Sequence, residues 1–203
     1  MDYQANDGRA LIRLLDELGR LPGIGPASAQ RIAYHLMVAD PEEVRRLATA
    51  ITELREQVHF CPTCFNYAMR DECEICSDLS RDKSVICVVS EPRDVAAIEH
   101  TGSYHGLYHV LGGVISAASK VGPEQLHVKE LLARLASGEV SEVILATNTD
   151  VEGEATASYL ARSYLVPLGV RVTRINVGVG VGGEIKNADE LSLARAIEDR
   201  RTV

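Results

Sequence analysis

The sequence predicts an α/β chain: an α-helical N-terminal region, a four-cysteine knuckle, a mostly parallel sheet flanked by helices, and a C-terminal helical segment. Three observations carry this. Apolar residues recur at helical spacing up to residue 58. The stretch "FCPTCFNYAMRDECEICSD", residues 60–78, holds four of the five cysteines. From residue 84 onward β-branched runs alternate with helical periods, the pattern of strands joined by crossover helices.

In the N-terminal region, "RALIRLLDELGR" (9–20) sets Leu11, Leu14, Leu15 and Leu18 on one helical face and stops at Gly19. The chain then turns from Pro22 to Gly25 and restarts as a helix with Pro26 in its first turn. In "DPEEVRRLATAITELREQV", Asp40 is an N-cap, Pro41 the first helical residue and Glu43 the closing partner of a capping box. Later come strands at 84–90, 104–113, 141–147 and 170–176, with helices at 92–100, 124–136, 154–165 and 188–200. These divide as residues 1–58 helical, 59–78 the cysteine knuckle, 79–175 the α/β unit and 176–203 a C-terminal assembly segment. With no linker, repeat or low-complexity tract, one elongated unit is expected.

The cysteines form two CxxC steps, Cys61 with Cys64 and Cys73 with Cys76, separated by eight residues. The start "MDYQANDGRALIRLL" has no basic flank, apolar stretch and cleavage site of a secretory signal, and no apolar run is long enough for a bilayer, so a cytoplasmic location is expected. In a reducing compartment two such hooks suit one Zn2+ better than two disulfides. Four thiolates fill a tetrahedral shell and leave no position for water, which makes the zinc structural, one per chain. A redox CxxC pair stands alone after a strand, unlike this doubled knuckle. His59 reads as a surface side chain and Cys87, in "SVICVVS", as core packing.

A formal net charge of −8 argues against coating nucleic acid by bulk electrostatics, so any DNA contact must be local. With two phenylalanines and no tryptophan, stacking platforms for bases are few. The stretch "LPGIGPASAQRIA" offers a local contact: a glycine-rich turn leaves backbone N–H groups free at the start of the next helix, an anion site. Gly23 and Gly25 allow a DNA phosphate to approach, and Arg31 adds a charge. At the carboxyl ends of the strands, Glu91 and the run "NTDVEGE" bring Asp150, Glu152 and Glu154 to one edge, where Mg2+ could sit. Read from charge alone, Asp150 is a turn residue and the glutamates are first-turn acids of a helix. "GVGVGG" (178–183) fits a dinucleotide motif only in letters, since a single helix follows it, and no GK[ST] is present.

A helix-hairpin-helix, a four-cysteine knuckle and an α/β unit bearing Glu91 and "DVEGE", in this order, resemble the RecR family of bacterial recombination mediators. The resemblance covers nearly the whole chain and is most specific in "LPGIGPASAQRIAYHL", "FCPTCFNYAMRDECEICSD", "YHVLGG", "VEGEATASYLAR" and "GGEIKNADELSLARA". It implies that the α/β unit is a Toprim domain and the cysteine knuckle a zinc finger. It implies a non-enzymatic protein of gap repair that acts with RecO and RecF to load RecA onto single strands coated by SSB. It further implies a homo-oligomer, a ring-shaped tetramer able to encircle single- or double-stranded DNA regardless of sequence.

Three departures from the family pattern stand out. In the Toprim pattern DxDxEGE, Asn148 replaces the first acid, which weakens Mg2+ binding and fits a loss of strand-cleaving chemistry. Ala27 stands where relatives carry a basic residue, and Asn187 stands at an aromatic position. The rival reading is a Toprim metal-dependent nuclease or phosphotransferase, with Glu91 as general acid or base and Asp150 and Glu152 holding Mg2+. A third is a zinc-stapled oligomerisation module without a DNA role.

Overall fold

The computed structural model describes residues 7–175 and 184–203, so "GVGVGG" lies outside the described residues. The chain divides into two compact units, Met1–Gln57 and Val58–Val203, where the sequence suggested one. The absence of a linker does not make a common core. Among the described residues the first unit buries only Ala29 and Ala33, and the large buried side chains all belong to the second.

The first unit consists of α1 (Asp7–Gly19), α2 (Pro26–Val38) and α3 (Pro41–Gln57). Ala29 and Ala33, small and one helical turn apart, lie buried on α2, which packs against α1. Asp40 caps α3 as expected, its Oδ1 accepting from the Glu42 N–H at 2.7 Å. Glu43, expected to close a capping box, instead lies 3.7 Å from His35 Nε2. No residue of α3 is buried, and Leu47, Ile51 and Leu54 are about half exposed or more, at 46%, 63% and 65%.

The second unit opens with a two-stranded antiparallel hairpin, β1 (His59–Phe60) and β2 (Tyr67–Ala68), followed by the short helix α4 (Glu74–Ser77). A five-stranded sheet follows in the order β4-β3-β5-β6-β7. Its strands are β3 (Asp82–Val89), β4 (Gly106–Val110), β5 (Glu142–Ala146), β6 (Arg171–Arg174) and β7 (Arg201–Thr202). The first four run parallel to their neighbours, and β7 joins β6 antiparallel.

The period of two decides which core each strand residue enters. Cys87 and Val89 of β3 and Ile144 and Ala146 of β5 face a layer built with α5 (Pro92–His100) and α8 (Glu190–Glu198). Ile86, Val88, Val143 and Leu145 face the opposite layer, built with α6 (Val128–Leu135) and α7 (Val151–Leu160). Both faces are therefore covered, as a parallel sheet demands. Cys87 is fully buried in the first layer, in the packing role expected of it.

Several boundaries differ from the periodic reading. The strand expected at 104–113 shrinks to Gly106–Val110, because Gly112 and Gly113 adopt positive φ of 85° and 151° and end it. The helix expected at 124–136 splits into a 3-10 turn, Pro123–Gln125, and α6, since His127 leaves helical geometry. Helix α7 begins at Val151, earlier than expected, and continues as a π turn over Ala161–Leu165. The last strand, β7, has no signal in the sequence.

Glu142, at the buried start of β5, is satisfied by Arg200 Nε at 2.5 Å and the Thr173 hydroxyl at 2.7 Å. This ties the last turn of the chain to the sheet. On the other side, the knuckle leans on β4, where the Val110 N–H donates to the Cys64 carbonyl at 2.8 Å.

Candidate zinc and nucleic-acid sites

Cys61 follows β1, and its N–H donates to the Asn66 carbonyl at 2.7 Å while its carbonyl accepts from the Phe65 N–H at 2.9 Å. The turn closes because Phe65 takes a left-handed φ of 64°, aiming Cys61 and Cys64 at one point. Cys73 is the N-cap of α4 and Cys76 lies within that helix, so one helical turn presents the second sulfur pair. The four ligand atoms lie within 4.8 Å of one another, with Cys64 Sγ and Cys73 Sγ 3.5 Å apart. A disulfide needs about 2.05 Å. A tetrahedron with Zn–S bonds of about 2.3 Å has edges of about 3.8 Å, which matches. All five cysteines are free thiols, three of the four in the cluster are buried, and the Cys73 N–H points at Cys61 Sγ from 3.5 Å. The shared hydrogen bond pushes the Cys64 thiol up and the Cys73 thiol down in pKa. Four thiols this close cannot ionise together without a cation between them, and a dication supplies it. The four cysteines form a zinc-finger cluster whose geometry fits structural Zn2+. His59 is exposed, in keeping with a surface side chain.

In the first unit, the turn between α1 and α2 is built by Leu21 N–H donating to the Leu18 carbonyl and Ile24 N–H to the Leu21 carbonyl, each at 3.1 Å. Gly23 sits at φ +81°, a conformation that a side chain would strain. Gly25 is the N-cap of α2 and provides no side-chain cap, so the first-turn N–H groups after Pro26 have no side-chain acceptor from the cap. Open space surrounds the Cβ positions of both glycines. Arg31 is exposed, its guanidinium 3.4 Å from the Ser28 hydroxyl.

The acids predicted at the strand ends do lie past the carboxyl ends of adjacent parallel strands, where Val89 pairs with Ala146. Each is engaged by the protein itself. Glu91 lies 3.7 Å from Lys186 Nζ. Asp150 is the N-cap of α7 and accepts from the Gly153 N–H at 2.7 Å. Glu152 accepts from the Ser116 hydroxyl at 2.5 Å. Glu154 pairs with Arg174 at 2.6 Å. Among the described residues the cysteines are the one cluster of three or more potential metal ligands found. Nearby, burial pushes the Asp94 carboxyl up to about 6, against the pull of the Glu91 N–H that it accepts at 2.8 Å.

Sequence reasoning missed Lys186, Arg174 and Ser116, the partners of these acids. It also missed Phe65, whose ring packs on His127 and meets His109 edge-on at 5.7 Å. None has a spacing signal, since each acts across a gap in the chain that only the fold closes.

Comparison with known proteins accounts for this arrangement. A model of the RecR helix-hairpin-helix matches residues 11–55, and that of the RecR four-cysteine zinc finger domain matches 58–78. A Toprim domain matches 84–176 and the RecR C-terminal model 178–201. Recombination protein RecR of Frankia casuarinae is 60% identical over 190 residues, covering 94% of this chain and 95% of the relative. The protein of the same name from Streptomyces coelicolor is 58% identical, covering 93% and 94%, and that from Paenarthrobacter aurescens 55%, covering 95% and 96%. The N-terminal helices, the four-cysteine zinc finger, the mostly parallel Toprim sheet and the C-terminal segment are thus the parts of one known assembly of domains, and the chain belongs to the RecR family of recombination proteins, with a role in recombinational repair.

Proposed function

We propose that this chain is a non-enzymatic, DNA-binding recombination mediator that acts with RecO and RecF to help load RecA onto gapped single-stranded DNA. It works in the cytoplasm, at the nucleoid. The observation that carries the reading is the uncapped start of α2, with Gly23 and Gly25 leaving room for a phosphate and Arg31 exposed beside it. Backbone N–H donors grip phosphate without reading bases, so binding is independent of sequence.

A chain with net charge −8 and one such grip binds DNA weakly, and several copies around one opening overcome that by avidity. The exposed row Leu47, Ile51 and Leu54 on α3, spaced by four and three residues, favours assembly with further copies of the chain. This supports the ring-like tetramer. Glu91, Asp150 and Glu152 mark a surface for protein partners.

The test is fluorescence anisotropy of labelled single- and double-stranded DNA with zinc-loaded protein. Modest binding that weakens steeply with salt is expected. No binding at low salt would leave an oligomerisation module without a DNA role. Cleavage of the same DNA with Mg2+, abolished by Glu91→Gln, would replace the proposal by the nuclease reading.

A further inference from the structure

The Toprim fold implies a divalent cation at the acid edge, and the residues present do not fit one. Three positions of the edge are filled by donors of this chain. Asn148 stands where the pattern has its first acid, and its side-chain oxygen accepts from the Ile185 N–H at 3.2 Å. The next residue, Lys186, lies 3.7 Å from Glu91 and 3.3 Å from Glu184. Arg174 from β6 reaches across the end of β5. Its guanidinium donates to the carbonyls of Leu145, Thr147 and Asn148 at 2.8, 2.9 and 2.9 Å and to Glu154 at 2.6 Å.

Carbonyl and carboxylate oxygens are the ligands a hard dication would take. Here an arginine, largely buried with 13% of its side chain exposed, already holds several of them. Asp150 and Glu152 are committed to Gly153 and Ser116. The amide at 148 is suited to this role as well. Its neutral oxygen serves the Ile185 N–H without adding charge to an edge that already carries Glu91, Asp150, Glu152 and Glu154, whereas a carboxylate there would restore the anionic ligand a dication takes.

We infer that Arg174 and Lys186 are the built-in counter-ions of the acid edge, replacing the divalent cation, and that Ile185 and Lys186 seat the C-terminal segment in its place. Arg174 is the permanent member, fixed by four oxygens. Lys186, held only at longer ion-pair distances, is the member that a competing cation would displace. The inference deepens the non-enzymatic reading, and its test has a different readout from the cleavage assay.

Binding of Mn2+, a spectroscopic stand-in for Mg2+, is followed by electron paramagnetic resonance on the full-length, zinc-loaded chain. Wild type and Lys186→Arg are expected to show no saturable site in the micromolar range. Lys186→Gln combined with Asn148→Asp is expected to gain Mn2+ affinity at least about tenfold, a gain removed by adding Glu91→Gln. A saturable site in wild type that Glu91→Gln abolishes would overturn the inference. So would a double variant, folded by circular dichroism, that binds no better than wild type.

Discussion

Phe65 of the zinc knuckle lies flat on His127, with ring centroids 3.7 Å apart and planes 11° from parallel. His127 is itself fixed by the Val110 carbonyl, 3.1 Å from Nδ1, and its own carbonyl lies 2.7 Å from His109 Nε2. The stack therefore joins the metal site to the loop leading into α6. Phe65→Ala is expected to destabilise the protein by about 1–2 kcal/mol while leaving the zinc content unchanged, as read by urea unfolding and elemental analysis.

For the knuckle itself, Cys64→Ser removes one of four ligands from a largely buried cluster. Structural zinc contributes its binding energy to folding, so the variant is expected to lose its metal and unfold far more readily. Elemental analysis should find one zinc per wild-type chain, and fully reduced wild type without metal would contradict the assignment.

At the hairpin, Arg31→Ala is expected to weaken DNA binding uniformly across sequences and to reduce the salt slope by about 1. Gly23→Ala forces a side chain into φ +81° and should cost about 1–2 kcal/mol in the stability of the turn. Anisotropy titrations over a salt series measure the first and thermal unfolding the second. Unchanged binding by Arg31→Ala would remove the hairpin as the contact.

Gly153 in "VEGE" is required by space. A Cβ there would meet the Asn148 carbonyl oxygen at 2.2 Å, and that backbone cannot move because Arg174 holds it. Gly153→Ala is expected to destabilise by about 1–3 kcal/mol, measurable by thermal unfolding. An unchanged midpoint would mean that the strand end is softer than its hydrogen bonds imply.

Asp94 gives a pH dependence. Its folded pKa is raised to about 6, so the native carboxyl binds its proton more tightly than the unfolded one. The group's contribution to stability is therefore present below about pH 4 and lost as pH rises through about 6. Asp94→Asn keeps an oxygen for the Glu91 N–H and should gain about 1–2 kcal/mol over wild type at pH 8, the difference closing toward pH 4. Burial holds His109 down at about 4, which acts in the opposite sense, but it is present in both proteins and cancels in the difference. Urea unfolding across this range tests it.

The knuckle was legible because two CxxC steps eight residues apart match the ligand spacing of one tetrahedral thiolate site. The sheet was legible because residues 84–90 and 141–147 carry apolar runs suited to burial on both faces. Of the hairpin glycines, Gly23 announced the turn through a left-handed φ that glycine adopts without strain, while Gly25 stands in extended backbone open to any residue. The neighbours of the acids were not legible. Asn148 meets Ile185 from 37 positions away, and the segment carrying Ile185 and Lys186 has no periodicity to mark it. The role of Asp150 was open between metal ligand and turn residue on charge alone, and the structure makes it the N-cap of α7, with the Gly153 N–H on one of its oxygens. β7, two residues long, is stabilised by its place beside β6 and not by any propensity of its own.

The bond from Val110 to the Cys64 carbonyl has a consequence for solubility. β4 borders the sheet, and a border strand invites pairing by any passing chain. Here its outer groups are shielded: the Val110 amide by the knuckle, its carbonyl by His127 and the Tyr108 carbonyl by Arg134 at 2.6 Å. Stripping the metal would free the Val110 amide while His127 and Arg134 still cover the carbonyls, so chelated protein should clump through this one exposed donor of β4 before the sheet behind it melts.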